Sequence, residues 1–457
     1  MKILIILTLA LSSTILHAQS EREKFEKLSP EIKKYIDELY AKEKKEEAVK
    51  KEEVVVNKET SDQPLEMHGY FRTGTNFFTT GGGRKSGSCL ALEFPRNDGL
   101  FYRFGNECFD YAEFSFSQWY KRNGIEFRPY FMIDLAGDSR SPNATEEWSR
   151  RTRQLFVEIK GIFANEAALW VGRRYYRNIG DIGDLHVLDG FHVQSSGNGA
   201  GVTDIPFAGG KYNVAIIGYG RENQAENVNE QSYLLDLRAS YAFGLNNYQF
   251  ALQNLVVTTA KGTNSQPDGR TITFQWQREF GFLNNRVVAQ YAQGSMAENP
   301  GCFGTDGQCF NSTAQEGSDA YRIFSSGVFD FTPRFKMHYL VLHQESEDFN
   351  RWSSAGIRPH YMLAKYWSIV SDVGFMRLER VNDNSFQTMQ NLDKYTIALQ
   401  ASTDASNFWD RPAIRFYYTY FNWNKAAASQ SQTRLTVPGR EEQRNASVVG
   451  AQAEMWF

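Results

Sequence analysis

The chain has 457 residues, a formal net charge of −3, and a composition that is 41% hydrophobic and 14% aromatic. Near-neutral charge gives no support for nucleic-acid binding. A helical membrane protein needs apolar runs of about 18 or more residues, and none follows the N-terminal segment. The 34 Phe, 23 Tyr and 9 Trp instead suit interfacial girdles and a stacking surface.

Residues 1–18 read as a secretory signal. Lys2 gives a basic start, Ile3 to Leu7 an apolar core, and Ala18 a small residue for cleavage before Gln19. Residues 19–65 differ in composition. Ser29, Pro30 and Glu31 make a helix start, with Ser as cap and Pro at the first helical position. Phe25, Leu28, Ile32, Ile36 and Leu39 recur at spacings of three and four, and Lys42 to Glu53 is nearly all Lys and Glu. A short coiled coil and a disordered linker both fit this extension, which would lie in the periplasm.

From residue 66 the period changes to two. Tyr233, Leu235, Leu237, Ala239, Tyr241 and Phe243 alternate with Leu234, Asp236, Arg238, Ser240 and Ala242. Tyr248, Phe250 and Leu252 alternate with Gln249, Ala251 and Gln253, and Tyr395, Ile397, Leu399 and Ala401 with Thr396, Ala398, Gln400 and Ser402. Turning the apolar set to lipid leaves charges and amides inside. The chain ends the same way: Val449, Ala451, Ala453, Met455 and Phe457 alternate with Gly450, Gln452, Glu454 and Trp456. A strand of about ten residues is what a tilted crossing requires. A soluble β-sandwich would alternate too, but the signal and the terminal strand oppose it. Strands that cross lipid must close on themselves, because an open edge leaves backbone groups unsatisfied. The expected fold is therefore all-β: a transmembrane antiparallel β-barrel over residues 66–457, in the bacterial outer membrane and in contact with its lipid. At roughly 20 to 24 residues per strand with its connection, about 16 to 18 strands fit.

The four cysteines Cys89, Cys108, Cys302 and Cys309 would be exported to an oxidising compartment, which favours two disulfides over a metal site. Cys302 and Cys309 bracket a turn-like stretch and pair most simply with each other, leaving Cys89 to Cys108. No cofactor or metal is expected, and no enzyme constellation emerges. Gly82-Gly83-Arg84-Lys85-Ser86 fails the phosphate-loop spacing, and Gly197 to Gly201 lacks a βαβ context. His338 and His343, five apart in a strand-like run, point to opposite faces.

Several segments resemble the maltoporin (sugar-specific porin) family. They are Met67 to Gly74, Tyr102 to Cys108 with Tyr111-Ala112-Glu113, Trp170 to Tyr176, Gly197 to Gly201, Gly356 to Pro359, Arg411 to Arg415, and Gly450 to Phe457. They span residues 67–457 in the family's order. The resemblance implies an 18-stranded barrel assembling as a homotrimer, with inward-folded loops narrowing each pore. It implies passive diffusion of maltose and malto-oligosaccharides along a slide of aromatic rings beside a polar track. Residues 19–65 fall outside the typical maltoporin and resemble the extension of sucrose-type members.

Carried over by position, the slide comprises Tyr70, Tyr111, Trp352 and Trp456. Trp148 lies in a loop region like the one from which the family lends a Trp to a neighbouring pore. Phe191 falls at the constriction position, and Arg72, Arg103, Glu113, Arg153 and Asp189 match the polar track. The chemistry follows from the ligand: a pyranose stacks its apolar face on a ring while charged groups replace water around its hydroxyls. Any one Tyr or Trp in a barrel is otherwise a girdle residue, and any one lumen arginine generic lining. Asn178 and Gln194 depart from the Arg and Asp usual in maltodextrin-passing members. A sucrose-type or broad sugar porin, a general diffusion porin, and an outer-membrane enzyme or adhesin are the competing readings.

Overall fold

Alternation along each strand becomes an inside and an outside. Tyr233 and Leu235 stand outward and exposed, whereas Leu234, Asp236 and Arg238 between them are buried. The same split separates exposed Ile397 and Leu399 from buried Thr396, Ala398 and Gln400. The computed structural model describes residues 63–80, 104–106, 110–137, 149–163, 166–177, 192–223, 228–261, 267–297, 300–303, 317–346, 350–380, 389–429 and 442–457.

Among these residues the chain forms one sheet of twenty strands, from Glu66–Thr80 to Asn445–Trp456. Two are accessory. Tyr120–Arg122 continues Asp110–Ser117 along the same neighbour, Ile125–Gly137. Cys302–Phe303 pairs parallel with Gln194 and Ser195. The other eighteen run antiparallel, each paired with the next, and the first closes on the last through Tyr70 opposite Trp456. The barrel lies within the unit Asp62–Phe457.

One rim carries tight hairpins and the C-terminus. Asn123-Gly124 has φ of 50° and 80°, and Ala208-Gly209 has 48° and 77°. Positive φ at both turn positions matches the twist of the flanking strands, and glycine meets it without steric cost. The opposite rim carries the long connections, and the described parts of these fold into the barrel.

Three such segments are pinned to the inner wall. The Phe104 carbonyl accepts from Lys394 Nζ, and the Gly105 carbonyl accepts from Thr419 Oγ1 at 3.0 Å. Gly105 has φ +69°, and a Cβ there would lie 2.4 Å from Thr419 Oγ1, so only glycine fits the docked segment. The His192 carbonyl accepts from Gln290 Nε2 at 2.6 Å, and the Pro300 carbonyl accepts from Arg322 Nη1 at 3.0 Å. The first of these segments completes an apolar cluster inside the barrel, in which Phe104 joins Trp352, Leu378, Leu392, Phe421 and Trp423.

The expected signal, residues 1–18, and residues 19–62 of the expected extension 19–65 lie outside the described residues, and its last three residues, 63–65, form neither helix nor strand. Cys89, Cys108 and Cys309 also lie outside the described residues, while Cys302 is described only by its backbone.

Candidate functional site

Residues directly opposite in an antiparallel pair point to the same face. Tyr70 stands opposite Glu113 on one side and Trp456 on the other, and Arg72 opposite Tyr111 and Glu454. Buried Arg72 and Glu454 fix that shared face as the inner one. Register alone therefore gathers three aromatic rings and three charges on adjacent strands, across the seam where the barrel closes.

Their contacts tie rings to charges. The Tyr70 and Tyr111 rings are 6.1 Å apart, and the Arg72 guanidinium lies 4.9 Å from the Tyr111 ring centre. Tyr70 Oη donates to Glu454 Oε1 at 2.9 Å, and Tyr111 Oη donates to Glu113. Glu454 also accepts from Arg411 Nε at 2.9 Å and from Arg415 Nη1 at 2.8 Å. The Arg411 guanidinium then lies 4.3 Å from the Trp456 ring centre, within cation–π range. Trp456 remains 39% exposed, so part of its ring stays open to a ligand.

Arg411 is placed by the turn before it. The Asp410 carboxylate accepts from Thr403 Oγ1 at 2.8 Å and from the Asp404 amide at 2.6 Å. Side-chain and backbone hydrogen bonds from Ser406 hold the exposed Asp404 carboxyl below its usual pKa. Phe408 packs against the rings of His338 and His360, 6.0 and 5.8 Å away.

A second group borders the rings. Asp134 stands opposite Glu113. It accepts from Arg151 Nη2 at 3.1 Å and from Arg153 Nε at 2.5 Å. Both arginines reach one carboxylate because the register shifts between Met132 and Ile133, leaving Arg153 without an opposite residue. Such a bulge re-aims a side chain. Arg177 and Arg153 lie 4.0 and 5.9 Å from the Tyr175 ring centre.

The structure thus brings together Tyr70, Tyr111, Trp456, Arg72 and Glu113, with Arg153 two strands further on, beyond Ile125–Gly137. Trp352 points inward but is 0% exposed in the apolar cluster, away from this group and with no open ring face. Trp148, Phe191, Arg103 and Asp189 lie outside the described residues. Next to Phe191, His192 is buried with its ring 5.5 Å from that of Phe324. Burial, with Arg286, Arg322 and Arg238 nearby, holds its pKa well below the usual imidazole value.

Sequence reasoning missed Glu454, Arg411, Arg415, Asp134, Arg151, Tyr175 and Arg177 as site residues. A signal existed for one of them: Glu454 shares its strand phase with Trp456, so an inward Trp456 implies an inward Glu454. The shared grip on Glu454 was not legible, since it joins residues 39 and 43 apart.

The arrangement offers flat ring faces bordered by donors and acceptors. It suits a ligand with apolar faces and hydroxyl edges. Residues 65–457 match the family model described as LamB porin. The chain is 30% identical over 376 residues to a maltoporin of Hahella chejuensis (strain KCTC 2396), covering 78% of this chain and 86% of that protein. Among solved structures, Acinetobacter baumannii OccAB1 superposes with a TM-score of 0.50 at 9% identity, covering 86% of this chain and 96% of that one. That likeness concerns the fold alone.

Proposed function

The chain belongs to the LamB porin family, and from that premise we propose that this outer-membrane sugar porin passes maltose and malto-oligosaccharides by passive diffusion along its aromatic rings. The carrying observation is the inner-face group of Tyr70, Tyr111 and Trp456, bound to the polar track through Arg72 and Glu454. A glucose ring stacking on one platform can shift to the next while its hydroxyls exchange partners along the charged edge. Several weak sites in series let a sugar enter and still leave.

In this reading the tight hairpins face the periplasm, as does the N-terminal extension, and three copies assemble as a trimer. Trp148, Phe191, Arg103 and Asp189 join the pathway by their place in the sequence, and disulfides Cys89–Cys108 and Cys302–Cys309 tie the loops. Trp352, buried as it is, supports the wall.

Planar-bilayer recording tests the function. Ion current through the purified protein is expected to be blocked by malto-oligosaccharides, more strongly as they lengthen. Tyr70→Ala or Trp456→Ala removes a platform worth about 0.5–1.5 kcal/mol, weakening block roughly threefold to tenfold with ion conductance held or raised. Conductance without block would make the protein a general diffusion porin. Sucrose blocking as well as maltohexaose would overturn the substrate and leave the family intact.

A further inference from the structure

Buried charge inside this barrel has the opposite sign to the whole chain. Among the described buried residues there are nine Arg or Lys and six Asp or Glu, although the formal net charge of the chain is −3. Beyond that count, four carboxylates on the inner wall are each held by two cations, some of these cations only partly buried. Asp134 and Glu454 have the arginine pairs already described. Glu158 lies 3.2 Å from Arg128 and 3.7 Å from Arg174. Asp372 lies 3.1 Å from Arg358 and 3.0 Å from Lys394.

A carboxylate shared by two cations leaves one positive charge over at each place. Two of the four places share one strand pair, Ile125–Gly137 with Ser149–Lys160, and the other two lie on Trp367–Arg380 and Asn445–Trp456, so a permeant species meets the excess on more than one side of the wall. One group is also reachable, since the Arg151 side chain is 48% exposed beside buried Asp134. Its guanidinium carries five donors, some of which remain for a ligand beyond the bonds to Asp134.

We propose that the lumen is anion-preferring, and that between saccharides of equal length it binds the one bearing a carboxylate or phosphate more tightly. The inference rests on reading the lumen as the sugar pathway and names a substrate class within it. The rings serve the sugar faces, and the paired arginines serve the charged substituent, for which a guanidinium fork is the fitting partner.

The test uses the full-length protein in planar bilayers. In a KCl gradient the reversal potential should report anion over cation preference. Maltotriose phosphorylated at a 6-hydroxyl should block the current several-fold more strongly than maltotriose in 0.1 M KCl, and trigalacturonate gives the carboxylate arm. The advantage should shrink in 1 M KCl, where the screening length falls from about 10 Å to about 3 Å. Arg151→Gln should reduce both the anion preference and the advantage of the phosphorylated sugar, with a smaller change for maltotriose. A cation-preferring reversal potential, or equal block by the two sugars at low salt, overturns this inference while the sugar-porin reading stands. Block by neither sugar overturns both.

Discussion

Replacing Glu454 by Gln separates positioning of the rings from their mere presence. Glu454 is 3% exposed and receives Tyr70, Arg411 and Arg415 at 2.9, 2.9 and 2.8 Å. Gln keeps the volume but turns one acceptor into an NH2 that cannot receive a donor. A hydrogen bond to a charged group is worth about 1.5–3 kcal/mol, and a buried ion that loses its partner costs about 3–5 kcal/mol. Arg411 and Arg415 are therefore expected to swing into the wet lumen. That removes the cation from the Trp456 ring and the anchor from the Tyr70 hydroxyl. Disordering these platforms should cost the sugar about one ring's worth of stacking, about 0.5–1.5 kcal/mol, or threefold to tenfold in affinity. The same substitution removes a negative charge, so the reversal potential should move toward anions. Maltohexaose block and reversal potential on one bilayer preparation measure both, with circular dichroism confirming the barrel. If Glu454→Gln binds maltohexaose as the unchanged protein does, Glu454 does not position the rings and the coupling argued from these distances is wrong.

Gly105→Ala places a methyl group against Thr419 and Thr396, so the docked segment should lift from the wall, seen as higher and noisier single-channel conductance. Trp352→Ala empties a fully buried site at a cost of about 3–5 kcal/mol, and should lower the midpoint of heat unfolding in detergent more than it weakens sugar block. Because the folded state keeps His192 neutral, acidification below the ordinary imidazole pKa of about 6.5 favours states that expose it. Current noise should therefore rise as pH falls through that range, and His192→Gln should remove the dependence. Non-reducing peptide mapping should recover Cys89 joined to Cys108 and Cys302 to Cys309; a cross-pair would overturn the loop assignment.

Period-two alternation, read together with the signal-like segment and the pattern of the last strand, pointed to a closed barrel, because in lipid backbone polarity leaves strands no other solution. Local chemistry is also readable where it depends on neighbours in sequence: Asn123-Gly124 marks a hairpin by itself, and the phase of Trp456 against Met455 and Phe457 assigns it to the inner face. Tertiary structure decided what those inward residues do. Trp352 and Trp456 both point inward, yet one is sealed beneath apolar neighbours from other strands and an inward-folded loop while the other keeps an open ring. That difference depends on which segments dock on the wall, and docking depends on partners as distant as Phe104 and Lys394. The two cations on each shared carboxylate are likewise set by register, by a bulge at Arg153 and by a turn at Arg411. Sequence fixes the face of a residue through a period of two, while its partners follow from pairings between strands that the period does not encode.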